Sequence, residues 1–290
     1  MSATFGRTSL LLAALLVAVG CSTPPKSGKS PLQPSVMPPN SVVLDVFFVR
    51  FPLGNPQANG ELWREVDEQH FPPELRQRLV QNGFRVGVVG SPMPTALSAL
   101  LELGDKPAPT AGANQVPVGE MEDEPRVTRR HMQVRAGRPA DIVASDVYDR
   151  LAVLLRESGE LVGQTYSAAQ AHLGLTALPE SDGRVRLDLI PELHYGQAQV
   201  RPQAFVGNEA MFRLASCQPR RSFDNLALAA TLSPGSMLLI GCLPDRPGSL
   251  GQHFFTCQGE PKQQKLLVIR VSQTQYDEAF LPADVLPLQE

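Results

Sequence analysis

Residues 171–190, AHLGLTALPESDGRVRLDLI, decide how the chain folds. An apolar run from Ala171 to Leu178 passes through Glu180-Ser181-Asp182-Gly183 into Val185–Ile190, and Asp-Gly is a strong hairpin-turn dipeptide because both residues tolerate a positive φ. Beyond the turn, Val185, Leu187 and Leu189 alternate with Arg186 and Asp188, which gives one buried and one wet face. The stretch reads as an antiparallel hairpin.

Outward from this hairpin the β texture continues. His131–Gly137 alternates and Val147–Leu155 is strongly apolar. Leu226–Leu232, the turn Ser233-Pro234-Gly235-Ser236 and Met237–Cys242 read as a second hairpin, and Lys265–Val271 (KLLVIRV) as a last strand. Toward the N-terminus, Val42–Phe51 (VVLDVFFVRF) reads as a buried strand. Glu61–Asn82 has a helical pattern broken at Pro72-Pro73 and stopped by Gly83; Phe84–Val89 is a strand; Pro94–Leu103 is a short helix with proline at its start. The predicted fold class is α+β: a small α/β module over 41–104, a Pro/Ala/Gly-rich linker over 105–125, a mainly antiparallel β domain over 126–276 and a tail over 277–290. Trp63, the only tryptophan, lies three residues from Val66 and reads as core packing.

The first twenty residues carry one positive charge, Arg7, followed by an apolar and small-residue run from Leu10 to Gly20, the pattern of a signal peptide over 1–20. The run is about half of the ~20 residues a membrane span requires. Ala18, Val19, Gly20 and Cys21 resemble the lipobox of bacterial lipoproteins, with Ala18 standing where Leu or Val is usual. The resemblance implies cleavage before Cys21, acylation of its thiol with palmitate-type chains, and attachment to the membrane through that lipid. Ser22 after the cysteine is similar to outer-membrane-destined lipoproteins. Residues 21–40, rich in Pro and Ser, read as a disordered lipoprotein spacer.

Three segments of the C-terminal half look like the C-terminal β-domain of secretins, the outer-membrane rings of secretion systems. They are GRVRLDLIPELHYG, with Gly183, Val185, Leu187, Leu189, Pro191 and Glu192; LALAATLSPGSMLLIGCL, with Gly235, Leu238, Leu239, Ile240, Gly241 and Leu243; and RPGSLGQHFFT followed by KLLVIRVSQTQ. The resemblance implies a common sheet and a place in an envelope assembly. It is truncated: the connection between His194 and Phe223 is too short and polar for both a gate and a membrane lip, so no pore is expected.

Composition and motifs point away from most other classes. A net charge of −3 and a pI near 6.0 give no reason to invoke nucleic acid. The histidines at 70, 131, 172, 194 and 253 make no H-x-x-x-H or H-E-x-x-H spacing, and there is no C-x-x-C, so no metal or other cofactor is expected. Glu192 and His194, two apart on a strand, share one face and read as a polar strand end. His253, Cys257 and Ser249 lie close in sequence but have no local acid and sit in what reads as a β connection, so no catalytic residues are expected. Setting aside Cys21 leaves Cys217, Cys242 and Cys257; in an oxidising envelope one disulfide can form, with Cys242–Cys257 favoured because both flank one connection, against three free thiols. The expected function is therefore that of a non-enzymatic, lipid-anchored cell-envelope protein, a structural or adaptor component at the outer rather than the inner membrane, binding protein partners or further copies of itself. The alternative is a lipid-anchored periplasmic hydrolase or ligand-binding protein whose site is assembled from distant residues.

Overall fold

In the computed structural model, residues 38–102, 126–157, 159–205 and 211–277 are described. Cys21 and the rest of the predicted leader, nearly all of the spacer and tail, and the linker lie outside them.

Thirteen strands are described: β1 (Ser41–Pro52), β2 (Phe84–Val89), β3 (Val127–Arg135), β4 (Ala140–Val143), β5 (Tyr148–Glu157), β6 (Glu160–Pro179), β7 (Val185–His194), β8 (Gln199–Phe205), β9 (Met211–Cys217), β10 (Arg220–Ser222), β11 (Leu228–Leu232), β12 (Met237–Cys242) and β13 (Gln263–Gln275). Three α-helices accompany them: α1 (Pro73–Gln81), α2 (Thr95–Glu102) and α3 (Leu250–Phe255). The fold is β-dominated with few helices.

The first sheet runs β2-β12-β13-β1-β3, antiparallel throughout. This overturns the division into a 41–104 module and a 126–276 domain, because strands from both stretches interleave and β1 is paired along its length with β13. The reason lies in the near-continuous apolar character of β1, β12 and β13. One face of this sheet, with Val42, Leu44, Val46, Leu267 and Ile269, packs in one core cluster with residues of the second sheet. Val49, Leu239, Leu266 and Val268 pack with Leu62, Trp63, Ala96 and Leu97 from the helical segments. A sheet covered on both faces has no wet side, so its strands show no alternation. Trp63 is core, as read, and carries the Arg85 guanidinium over its ring at 4.5 Å.

The second sheet is built on the 171–190 hairpin. β6 and β7 pair from Pro179↔Val185 to Gln170↔His194, β10 and β11 extend it along β7, and β4 pairs with β6. At the turn Gly183 has φ +85°, and its N–H donates to the Glu180 carbonyl at 3.1 Å. The first part of β6 pairs with β5 as a separate hairpin. The change comes at Ala168, whose φ of +46° is unusual for a residue with a Cβ: Tyr166 is buried before it and Ala169 and Ala171 after it, so the alternation changes phase.

Three local expectations need correction. The second hairpin does not form: β11 joins β7, whereas β12, buried at every position, sits between β2 and β13. The Ser233–Ser236 turn carries the chain from one sheet to the other, with Gly235 at φ +86° and its N–H on the Val271 carbonyl. The predicted 61–82 helix is a π turn (Gln57–Glu61), two 3-10 turns (Leu62–Arg64 and Glu68–His70) and α1. Asp67 breaks it by exchanging both backbone hydrogen bonds with Val88 and by accepting from the Gln69 N–H, which lays the chain along β2. The segment before Cys257 is not a β connection but α3, capped by Ser249, whose Oγ accepts from the Gln252 N–H. The 194–223 connection holds the β8–β9 ribbon.

Candidate functional site on the outer face of the second sheet

Alternation on β6 and β7 sends Ala171, Leu173, Leu175, Leu187, Leu189 and Leu193 into the core. Gln170, His172, Glu192 and His194 therefore share the opposite face, and the hairpin register sets His172 across from Glu192 and Gln170 across from His194. Asp141 reaches the same face from β4, opposite Gly174. Asp141, His172 and His194 each bring a ligand atom within 4.8 Å of the other two. The two imidazoles stack, with centroids 3.8 Å apart and planes 11° apart.

Glu192 lies behind the stack and is buried. Its Oε1 accepts from Ser222 Oγ at 3.0 Å, its Oε2 is 3.1 Å from His194 Nε2, and Arg220 stands 3.7 Å away. Burial holds the His172 pKa below the usual histidine value, and the neighbouring His194 adds to this, against the opposing pull of Asp141 and Glu192. The group is thus a pair of imidazoles with an ordered carboxylate behind it and an exposed one beside it, able to hold a cation or a proton. Glu192 and His194 were readable as neighbours from sequence; His172 and Asp141 were not singled out. Counting residue pairs back from the Asp182-Gly183 turn would have found His172, whereas Asp141 arrives through a pairing with no local signal.

The other motif positions do not converge on this site. Gly183 and Gly235 occupy turns, Gly241 lies in β12 under the Trp63 ring, and Pro191 is paired with Leu173 while its carbonyl accepts from the Phe223 N–H. Ser249, His253 and Cys257 do not form a nucleophile and base: Ser249 Oγ donates to the Arg246 carbonyl at 2.7 Å, and His253 Nε2 meets the Ala152 carbonyl at 3.0 Å. The Cys242–Cys257 disulfide is not formed; both thiols are free. Cys242 faces the core, where its thiol donates to the Phe255 carbonyl at 3.6 Å and burial pushes its pKa up to about 11, while Cys257 lies beyond α3.

Two further polar groups escaped the sequence reading. Asp45, in the middle of the apolar β1, is fully buried, with Oδ1 held by Arg129 at 3.1 Å and His131 at 2.7 Å and Oδ2 facing Arg270 at 3.3 Å. Each partner comes from a flanking strand, and His131 and Arg270 are its direct cross-strand neighbours. Lys265, also buried, donates to the Ala144 carbonyl at 2.5 Å beside a cavity of about 170 Å³ that Arg50, Arg130 and Asp146 also line.

Among the described residues no helix is long and apolar enough to cross a membrane. No known protein family's model matches the chain, and no curated protein does. Among solved structures the chain is similar to the InvG secretin domain β-barrel from the Salmonella SPI-1 injectisome NC-base, at 14% identity and a TM-score of 0.24, over 84% of this chain and 66% of that one.

Proposed function

We propose that the chain is a non-enzymatic cell-envelope protein, anchored through a lipid on Cys21 at the outer membrane, that serves as a structural or adaptor component of a secretin-type assembly. The observation that carries the docking role is the β5–β6 hairpin. Leu154, Leu161 and Val162 near its end are 44%, 60% and 40% exposed. Leu154 and Leu161 lie on one face of the hairpin and Val162 on the other, and apolar side chains exposed together on one element mark a surface that gains by being covered. The hairpin is pinned along its length: Arg221 pairs with Glu157, beside the turn, at 2.7 Å and donates to the Tyr166 hydroxyl, midway along, at 2.8 Å. Asn82 clasps the β5 edge, accepting from the Arg156 N–H and donating to its carbonyl. Apolar side chains held exposed on an already ordered hairpin suit an adaptor, since little is left to order on binding. The anchor rests on the leader pattern Ala18-Val19-Gly20-Cys21, and the relation to secretins on the three sequence segments with Gly183, Pro191, Glu192, Gly235 and Gly241.

The test is native mass measurement of the full-length protein in mild detergent, together with the mass of its N-terminal peptide. The expected results are a diacylated Cys21 peptide and a species well above monomer mass, reduced to monomer by Leu161→Asp with Val162→Asp at unchanged melting temperature. A monomer with no co-purifying partner in the unaltered protein refutes the adaptor role.

The cavity beside Lys265 favours a second reading, a binding protein for a small anion. Lys265 and Arg130 line it against the carboxylate of Asp146. Thermal stabilisation by a small carboxylate or by phosphate, lost in Lys265→Met, would mark that reading.

A further inference from the structure

We propose that Asp141, His172 and His194 bind one zinc-class divalent cation, with Gln170 and Glu192 fixing the tautomers of the two imidazoles. Proton positions decide which ring nitrogens can serve as ligands. The Gln170 amide nitrogen donates to the Ser145 carbonyl at 3.0 Å, so its Oε1 is left to accept. His172 Nε2 lies 3.3 Å from that oxygen and must carry the hydrogen. His172 Nδ1 is then a bare lone pair, and it is buried with no hydrogen-bond partner. A buried acceptor without a donor is a rare and costly arrangement that calls for a ligand.

His194 repeats the pattern. Its Nε2 faces a carboxylate oxygen of Glu192, which only accepts, so the hydrogen again sits on Nε2 and the lone pair on Nδ1. Glu192, occupied by Ser222 and His194, acts as an orienting group and not as a ligand. A carboxylate or amide behind the protonated ring nitrogen, with the other nitrogen free, is the arrangement found behind metal-bound histidines. Asp141 supplies an anionic oxygen from the third strand, and its exposure leaves room for water to complete a tetrahedral shell. Two imidazoles and one carboxylate suit zinc and its neighbours; calcium and magnesium prefer oxygen ligands throughout. In the metal-free stack the lone pairs lie in nearly parallel planes, so binding requires the two rings to splay apart by a tilt small enough to keep each Nε2 hydrogen on its acceptor.

The test uses the full-length protein, stripped with chelator and titrated with zinc chloride by calorimetry. Saturable uptake of one equivalent is expected, abolished by His172→Gln and by His194→Gln, weakened about 10–100-fold by Glu192→Gln as for other orienting partners, and unchanged by His70→Gln on the surface. Two measurements on the unaltered protein need no folded variant: cobalt(II) loading should give the visible absorption of a nitrogen-ligated tetrahedral ion, and zinc should shift the ring nitrogens of His172 and His194 in NMR spectra. No saturable uptake, uptake that survives loss of either histidine, or unmoved ring signals would each overturn the proposal.

Discussion

Removing the Asp45 carboxylate tests whether the ion cluster in the first sheet is structural. Asp45 has no exposed surface, whereas the side chains of Arg129, His131 and Arg270 are 50%, 61% and 38% exposed. Breaking a fully buried pair costs about 3–5 kcal/mol, chiefly because a charge is left stranded. Here Asp45→Ala strands no buried charge, since the Arg129, His131 and Arg270 side chains can all turn to water. What is lost is the charge-assisted bonding to Oδ1, at about 1.5–3 kcal/mol per bond in favourable cases, reduced by the exposure of the donors. The expected destabilisation is therefore about 2–3 kcal/mol, or roughly 5–10 °C in melting temperature for a protein of this size. Urea unfolding followed by circular dichroism reads it directly. Asp45→Asn, which keeps one acceptor, should lose less, and a double-mutant cycle with Arg270→Ala should show coupling that fades in high salt. An Asp45→Ala loss within about 0.5 kcal/mol, the range of an ordinary surface change, would refute the reasoning.

Gly251→Ala should be costly for a reason confined to the backbone: the Gly251 N–H donates to the Asn82 carbonyl at 2.9 Å, and a Cβ there would run into the Gly83 carbonyl. A loss of about 1–3 kcal/mol is expected from such overpacking, and a variant as stable as the parent in thermal unfolding would contradict the close approach of α3 to β2. His253 makes acid stability a second probe. Burial lowers its folded pKa below the ordinary value, so the unfolded chain binds the proton first as pH falls. Its contribution is complete above about pH 6.5 and is lost progressively below that until the depressed folded value is reached, with a slope of at most ~1.4 kcal/mol per pH unit for one proton. His253→Gln should flatten the stability profile below pH 6.5, and an unchanged profile would count against a buried neutral ring.

The parts of the fold that were legible are those in which one residue type carried one local instruction. Asp182-Gly183 set a turn and fixed the register of β6 and β7, and the alternation of Val185, Leu187 and Leu189 set the faces. β1, β2, α2 and β13 were found within a few residues. What was not legible was partnership. Nothing local in VVLDVFFVRF says that its neighbours are KLLVIRV, more than two hundred residues later, and 127–135; the division into two domains failed there. The site followed the same rule. Glu192 and His194 could be paired by spacing on one strand, and His172 by counting across a turn. Asp141, and the Arg129, His131 and Arg270 side chains around Asp45, depend on long-range pairings that only the folded sheets supply.

The pairing of β1 has a mechanical consequence. Ser41 lies opposite Gln275, so the chain enters and leaves the first sheet at one end, with β1 clasped between β13 and β3. A pull on the chain ahead of Ser41, opposed by a grip on the β5–β6 hairpin, loads many backbone hydrogen bonds of β1 at once, as in a lap joint. The same pull opposed through the chain after Gln275 opens the seam between β1 and β13 one bond at a time. A protein moored by its N-terminus and gripped at that hairpin bears load in its stronger direction.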